Sequence, residues 1–275
     1  HNVLWQEEEF YDEEKLDEEL RRVFDICHGC RRCFNLCDSF PKLFDLIDES
    51  DSGELDSVES ADFKPIVDAC TLCDMCFLTK CPYVPPHEFN LDFPHLMLRY
   101  RAIEFKKGEV GLTTKELTKT DRNGKLLGAV SPIANWASDT SNSLARGALE
   151  TTTKVHREAA LPKFHKNSFV SLTEKHKPDV NEDAPAFGRK AVIYATCFVN
   201  YNNPDIGNSA LSVLALNGVD TQVAYPSCCG MPQLEHGNIE EVAAAAKKVA
   251  AELKTFVDEG RDIIALTPSL SLIHI

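Results

Sequence analysis

The chain has 275 residues, of which 43% are hydrophobic, and it carries a formal net charge of -14 at pH 7. Residues 1–62 hold nineteen Asp or Glu against six Lys or Arg, so most of the negative charge lies in the N-terminal part. We expect no nucleic-acid partner, because phosphate binding needs clustered Lys and Arg. We also expect a folded, soluble protein without a transmembrane segment, since no apolar run is long enough to span a bilayer.

The first part of the chain is predicted to be all-helical. Apolar residues recur at helical spacing in three stretches, and no alternating strand pattern appears between them. The first stretch runs from Leu16 to Cys27 behind an acidic turn, and the second from Phe40 to Ile47. The third starts at Asp92 and Pro94, which suit a helix N-terminus. We therefore predict a helical domain over residues 1–107.

The residue pattern changes twice in the rest of the chain. Residues 108–188 lack cysteine and contain weakly amphipathic stretches, which predict a helical connector. From Arg189, short apolar strands are predicted at 191–195, 221–225 and 262–266, with helices at 210–216 and 239–257. Strands that alternate with helices imply a parallel sheet. The predicted fold is thus multidomain: an all-α domain, a helical connector and an α/β domain over residues 189–275.

Eight of the eleven cysteines fall in two tight runs within the predicted helical domain. The first run is C-x2-C-x2-C-x3-C and the second is C-x2-C-x2-C-x4-C, followed directly by Pro82. Three thiolates at three-residue steps can wrap one corner of a 4Fe-4S cubane, and in two-cluster ferredoxins the fourth cysteine of each run ligates the other cluster. We therefore predict two 4Fe-4S clusters with crossed ligands. The first thiol group is Cys27, Cys30, Cys33 and Cys81, and the second thiol group is Cys70, Cys73, Cys76 and Cys37.

Two other uses of these cysteines are less favourable. An odd number of cysteines leaves one without a partner in any scheme of disulfides only, and the tight runs favour metal in a reducing compartment. Zinc is the remaining alternative, because CxxC pairs also make tetrahedral zinc sites. Zinc binding would not explain why each run has three closely spaced cysteines that need a distant fourth one. Arg31 and Arg32 lie between predicted ligands, and we favour a solvated face for them over a role in tuning a cluster.

A third thiol group, Cys197 with Cys228 and Cys229, lies in the predicted α/β domain. Its two loops follow the first and second strands, and open parallel sheets place their sites at the carboxyl ends of strands. Gly230 permits a close approach of the backbone to a bulky group. We predict a metal or catalytic site here. The alternative is a buried strand-end cysteine with two spectators.

Together these motifs resemble the iron-sulfur subunit family that includes the C subunit of anaerobic glycerol-3-phosphate dehydrogenase, the glycolate oxidase iron-sulfur subunit and heterodisulfide reductase. The resemblance covers the first 100 residues and residues 189–268, and is carried by Cys70 to Pro82, Ala195 to Pro204, and Ser227 to Pro232. It implies that the third thiol group ligates a third iron-sulfur centre. The family usually has two Cys-Cys-Gly modules, each with a further cysteine after its last strand. Here one module is present and Leu270 stands at that position, so we expect an incomplete third site or a fragment with a non-native tail.

The resemblance also implies a function. We expect an iron-sulfur subunit of an oxidoreductase complex that relays electrons from a flavin dehydrogenase partner through two clusters to a quinone or protein acceptor. The chain has no dinucleotide-binding glycine pattern, so flavin belongs to the partner. Two alternatives stay open: a disulfide reductase that uses the Cys-Cys-Gly site, and a simple ferredoxin-like carrier. We expect a cytoplasmic location, or peripheral attachment at the inner face of the plasma membrane.

Overall fold

The computed structural model describes residues 3–267, which form two compact units. The helical unit contains residues 3–110 and 233–239, and the sheet unit contains residues 111–232 and 240–267. In the described part of the chain, no helix combines the length and the apolar character that crossing a membrane requires.

All regular structure in the helical unit is helical, as the spacing of its apolar residues predicts. Asp12 starts the first helix by accepting a hydrogen bond from the Lys15 N–H at 3.1 Å, and Leu16, Leu20 and Val23 on its buried face join the core of the unit. The main helices are α1 (Glu13–Cys30), α2 (Ser39–Asp48), α3 (Lys64–Ala69) and α4 (Phe93–Lys107). Single helical turns complete the unit: three are 3-10 turns, at Glu8–Tyr11, Leu55–Ser57 and Ser60–Phe63, and one is a π-helical turn at Cys76–Lys80.

The sheet unit is built on three parallel strands in the order β2-β1-β3. The strands are β1 (Lys190–Tyr194), β2 (Asp220–Ala224) and β3 (Asp262–Ala265), each within one residue of its predicted start. The central strand β1 is buried along nearly its whole length, and Ile193 joins Phe169 and Leu211 in the apolar core of this unit. A mostly helical chain with a small parallel sheet near its C-terminus therefore agrees with the predicted combination of helical and α/β parts.

Helices surround this sheet and also fill the segment predicted as a connector. They are α5 (Leu112–Leu117), α6 (Thr120–Ala129), α7 (Ser131–Ser138), α8 (Ser143–Thr153), α9 (Phe169–Lys175), α10 (Pro204–Leu216), α11 (Met231–Glu235) and α12 (Ile239–Asp258). Helix α10 starts six residues earlier than its apolar spacing predicts, because Pro204 suits the first helical turn. Residues 111–188 belong to the same compact unit as the sheet. The domain boundaries at residues 107 and 189 stay predictions.

Candidate iron-sulfur sites

The first thiol group comes together at the end of α1. Cys27 and Cys30 lie in the last turn of α1, and Cys33 follows in the next turn. Cys81 reaches the same place after the π-helical turn, and all four cysteines line one pocket that is partly open to solvent. The structure thus brings the distant Cys81 beside the first cysteine run. The other walls are mainly apolar, and they include Phe40, Phe44, Tyr83 and Leu91.

Burial controls the protonation of these thiols. It raises the pKa of Cys33 to about 11, and the neighbouring thiols of Cys81 and Cys30 contribute in the same direction. Cys27 is more deeply buried, and its pKa also lies well above the usual range. Without a metal, Cys27 and Cys33 therefore hold their protons at neutral pH. Metal ligands must be deprotonated, so a metal that binds here displaces the protons.

The second thiol group combines the second cysteine run with Cys37. Burial raises the pKa of Cys70 to about 11, and Cys37 and Cys73 lie close enough to contribute to this rise. Burial likewise raises the pKa of Cys76, with contributions from Cys70, Cys33 and Cys37. Cys37 therefore lies near thiols of the second run, and so does Cys33. The crossed assignment of the eight thiols to two clusters stays a prediction.

The backbone around these cysteines is bent sharply. Leu72 and Asp74, which flank Cys73, have φ angles of 52° and 58°, and Arg31 beside Cys30 has a φ of 50°. Left-handed backbone is uncommon outside glycine and is a true outlier for a bulky residue such as leucine. Such conformations persist where surrounding structure enforces them, and they cluster at functional sites. The loops of both runs thus curve around the positions of their thiols.

The donor set suits an iron-sulfur cluster. All eight donors are thiols, which are the ligands that such clusters take. No three His, Cys, Asp or Glu side chains within residues 3–267 are arranged to hold a single metal ion as they stand. A second pocket is lined by Cys27, Cys33 and Cys81 of the first thiol group together with Cys76 of the second. Of the two arginines between the ligands, Arg32 lines the first pocket.

Arg31 is held by an acidic residue on the surface. Its Nη1 donates to Asp48 Oδ2 at 2.8 Å, and the guanidinium lies over the Phe44 ring at 5.4 Å from the centroid. Hydrogen bonds from Arg31 and His28 lower the pKa of Asp48, so this carboxylate stays ionised and balances the cation. This arrangement is a solvated ion pair, as expected for Arg31.

The third thiol group lies at the carboxyl edge of the sheet. Cys197 follows β1 and opens a π-helical turn at Phe198–Asn202, and Cys228 follows β2. The sulfurs of Cys197 and Cys228 are 3.7 Å apart, while Cys229 is exposed. Hydrogen bonding with both of these neighbours lowers the pKa of Cys228. Three cysteines from two loops therefore share this edge.

Sequence reasoning missed the residues that hold the Cys228 loop. Asp121, at the start of α6, accepts the Cys228 N–H on Oδ2 at 3.1 Å and the Tyr225 hydroxyl on Oδ1. The Tyr194 hydroxyl donates to the Ser227 carbonyl at 2.8 Å. The side-chain oxygen of Thr120 is buried and lies near the thiols of this group, but it makes no well-aligned hydrogen bond. Nothing in the sequence around Asp121 signalled this role, because it lies 107 residues before Cys228.

Two glycines permit close packing at this edge. Gly230 has a φ of 91°, and a Cβ there would lie 3.2 Å from the Val242 backbone. A Cβ at Gly124 in α6 would lie 2.4 Å from the Tyr201 ring. The end of β3 also reaches this edge, since the Thr267 hydroxyl lies 2.6 Å from that of Thr196. Leu270, where the resemblance leads us to expect a cysteine, lies outside the described residues.

These features define a cysteine-rich domain. Residues 191–269 match the family model described as "Cysteine-rich domain". The chain is also similar to the C subunit of anaerobic glycerol-3-phosphate dehydrogenase from Escherichia coli K12 and from E. coli O157:H7. Identity to each is 30% over 122 residues, which is 44% of this chain and 29% of the relative. These matches confirm the resemblance drawn from the motifs.

The matched region spans less than a third of the length of these relatives. No solved structure matches the chain.

Proposed function

We propose that this chain is an iron-sulfur electron-transfer subunit of an oxidoreductase. It takes single electrons from a flavin dehydrogenase partner and passes them by way of two 4Fe-4S clusters to a quinone or protein acceptor. The observation that supports this proposal is that Cys81 shares one pocket with Cys27, Cys30 and Cys33 of the first run. The similarity to one component of a dehydrogenase supports the oxidoreductase setting and the flavoprotein partner.

The residues of the chain have separate tasks in this function. A bound 4Fe-4S cluster supplies one-electron chemistry, with a potential that depends on net charge, hydrogen bonds to sulfur and exposure to solvent. The eight thiols hold the clusters and give up their protons on binding. The apolar walls formed by Phe40 and Leu91 limit the access of water to the first group. The left-handed residues Leu72 and Asp74 fix the loop that presents Cys73.

The third thiol group has three cysteines, and a cubane in its usual form takes four protein ligands. We propose that the chain binds about eight irons stably, as two 4Fe-4S clusters, and holds any third centre weakly or not at all. Leu270→Cys should strengthen that centre if the following residues lie near it. An iron content near twelve per unmodified chain, with a third spectral species, would mean that another ligand completes the site.

The location follows from the thiol chemistry. Eleven cysteines without a disulfide framework fit a reducing compartment, so we propose that the protein works in the cytoplasm. If the acceptor is a quinone, we propose that the protein attaches peripherally to the inner face of the plasma membrane. Fractionation of membranes with the native protein tests this proposal.

The decisive experiment is anaerobic purification followed by iron and sulfide analysis and by electron paramagnetic resonance (EPR). Two clusters should be present, and Cys81→Ser should change the signal of the cluster held by Cys27, Cys30 and Cys33. Cys37→Ser should change the other signal, and thus serves as its matched control. Signals that each change only with the cysteines of their own run would rule out crossed ligation. A chain that binds zinc and no sulfide would overturn the proposal itself.

A second function is favoured by one distance. The sulfurs of Cys197 and Cys228 lie 3.7 Å apart, so this pair could reduce a substrate disulfide. Two electrons and two protons then pass from the two thiols to the substrate, which leaves a Cys197–Cys228 disulfide and two substrate thiols. Turnover of disulfides by the isolated chain favours this reductase, and copurification with a flavoprotein favours the relay. A chain that shows neither, but exchanges electrons with redox dyes, acts as a simple carrier.

A further inference from the structure

Arg101 is a buried cation in the helical unit. It lies on α4 with 9% of its surface exposed, and its guanidinium faces the loop that starts the second cysteine run. Nη2 donates to the carbonyl oxygens of Val67 and Cys70, each at 2.5 Å. Nη1 donates to the Glu235 carbonyl at 3.1 Å. The three acceptors are neutral backbone groups, so they satisfy the donors without balancing the charge.

No ion pair described for residues 3–267 includes Arg101. The carboxyl group of Glu235 is partly buried near Arg101; burial raises the pKa of Glu235, and the nearby Arg101 opposes this rise. Gly237 closes the surroundings tightly, since a Cβ there would lie 2.3 Å from the Arg101 carbonyl oxygen. A buried charge without an ion-pair partner is unfavourable, so an anion should belong beside it.

The second thiol group would supply such an anion when it holds a cluster. The hydrogen bond from Arg101 Nη2 to the Cys70 carbonyl places the guanidinium beside the first residue of this group. Four thiolates around a 4Fe-4S core give a net charge of about -2, which becomes more negative on reduction. A fixed cation in a medium of low dielectric constant interacts strongly with such a charge, and most strongly with the reduced form.

We propose that Arg101 is the counter-cation of the cluster held by Cys70, Cys73, Cys76 and Cys37, and that it raises the reduction potential of that cluster. The inference rests on the proposed function, since it requires the clusters. The first thiol group has a different environment: Arg31 is balanced by Asp48, and Arg32 is exposed, where water and salt weaken its effect. The two clusters are therefore tuned unequally.

The test compares four variants of the chain, purified anaerobically, by redox titration monitored with EPR. Arg101→Gln removes the charge, and Arg101→Lys keeps it with fewer donors. Arg99→Gln is the matched control, because Arg99 lies on the same helix and donates to carbonyls of the N-terminal segment, at Phe10 and Glu9. Cys73→Ser identifies which signal belongs to the second cluster.

We expect Arg101→Gln to make reduction of the second cluster at least tenfold less favourable, which is a shift of about 59 mV for one electron. The reduction potential of the first cluster should stay near its wild-type value in these variants. The potential of the second cluster should also stay near its wild-type value in Arg99→Gln and in Arg101→Lys. If Arg101→Gln fails to hold the second cluster, retention of that cluster by Arg101→Lys still supports the role of the charge.

Three outcomes overturn the inference: an unchanged potential in Arg101→Gln, an equal shift of both clusters, or loss of the second cluster from Arg101→Gln and Arg101→Lys alike. The last result would mean that Arg101 acts through its hydrogen bonds alone. Wild-type protein and Arg99→Gln that contain no clusters would instead contradict the proposed function. The two failures are thus distinguishable by iron and sulfide analysis of the control.

Discussion

The helical unit and the sheet unit place their thiols differently with respect to their cores. In the helical unit Cys70 and Cys76 belong to the apolar core itself, and Cys27, Cys33, Cys37 and Cys81 pack against it. In the sheet unit the core is formed by Phe169, Ile193, Ala195, Val199 and Leu211, without a cysteine. The thiols there follow the ends of strands. Cysteines can thus form part of the apolar core of a unit, or they can lie on loops of a unit whose core contains none of them.

This difference has a physical basis. In the helical unit two pockets are lined by five of the cysteines, Cys27, Cys30, Cys33, Cys76 and Cys81. A metal cluster that binds there adds its binding free energy to the folding free energy. The sheet unit gains its stability from backbone hydrogen bonds between parallel strands and from apolar burial. Its thiol group contributes little to either.

The largest expected effect is a split response to removal of iron. Chelation should unfold much of residues 3–107 and spare much of residues 190–267, because cysteines belong to the apolar core of the first segment and not to that of the second. Hydrogen exchange with mass spectrometry measures protection in both segments before and after chelation. Equal loss of protection in the two segments would contradict the difference between the units.

A smaller effect is expected within the sheet unit from Gly124→Ala. The added methyl would lie 2.4 Å from the Tyr201 ring, so the helix or the ring must shift, at a cost of about 1–3 kcal/mol. Gly147→Ala is the matched control in α8, since nothing lies within 4 Å of its Cβ position. It should stabilise the unit by about 0.5–1 kcal/mol, because alanine favours a helix. Denaturant unfolding of the chain measures both changes.

The two glycine variants also test how α6 packs. Opposite signs for the two changes are expected if α6 lies against the Phe198–Asn202 turn, as the structure has it. Similar stabilisation by both substitutions would mean that Gly124 has open space around it, and that α6 does not pack on this turn.

The smallest effect should come from Asp121→Asn. The amide keeps one acceptor oxygen but loses the charge that strengthens the bonds to Cys228 N–H and the Tyr225 hydroxyl, at a cost of about 1–2 kcal/mol. Burial and Asp121 both raise the pKa of Tyr225, so its hydroxyl stays a donor in the parent protein. The measurement is the exchange rate of the Cys228 amide, which should rise.

Asp258→Asn is the control for this variant, because Asp258 pairs with Lys254 on the exposed end of α12. Its substitution should leave the Cys228 amide unchanged. Equal exchange in the two variants would show that Asp121 does not hold the loop.

Much of the secondary structure was predictable from local pattern. Apolar residues at helical spacing located α1, α2 and α4, and short apolar runs located all three strands. Boundaries were less accurate, as in α10, where Pro204 begins the helix before its apolar residues do. The grouping of Cys81 with Cys27 was also predictable, because three closely spaced cysteines cannot supply a fourth ligand from the same turn.

Local spacing was therefore enough to predict the main helices and the strands, the two cysteine runs and the third thiol group, because each depends on a short stretch of chain. The distant residues that surround those thiols follow only from the packing of the folded chain. Asp121 reaches Cys228 across 107 positions, and Arg101 reaches the carbonyl of Cys70 across 31. Neither residue belongs to a recognisable motif, because its effect depends on burial and on the direction of a single side chain, and packing sets both.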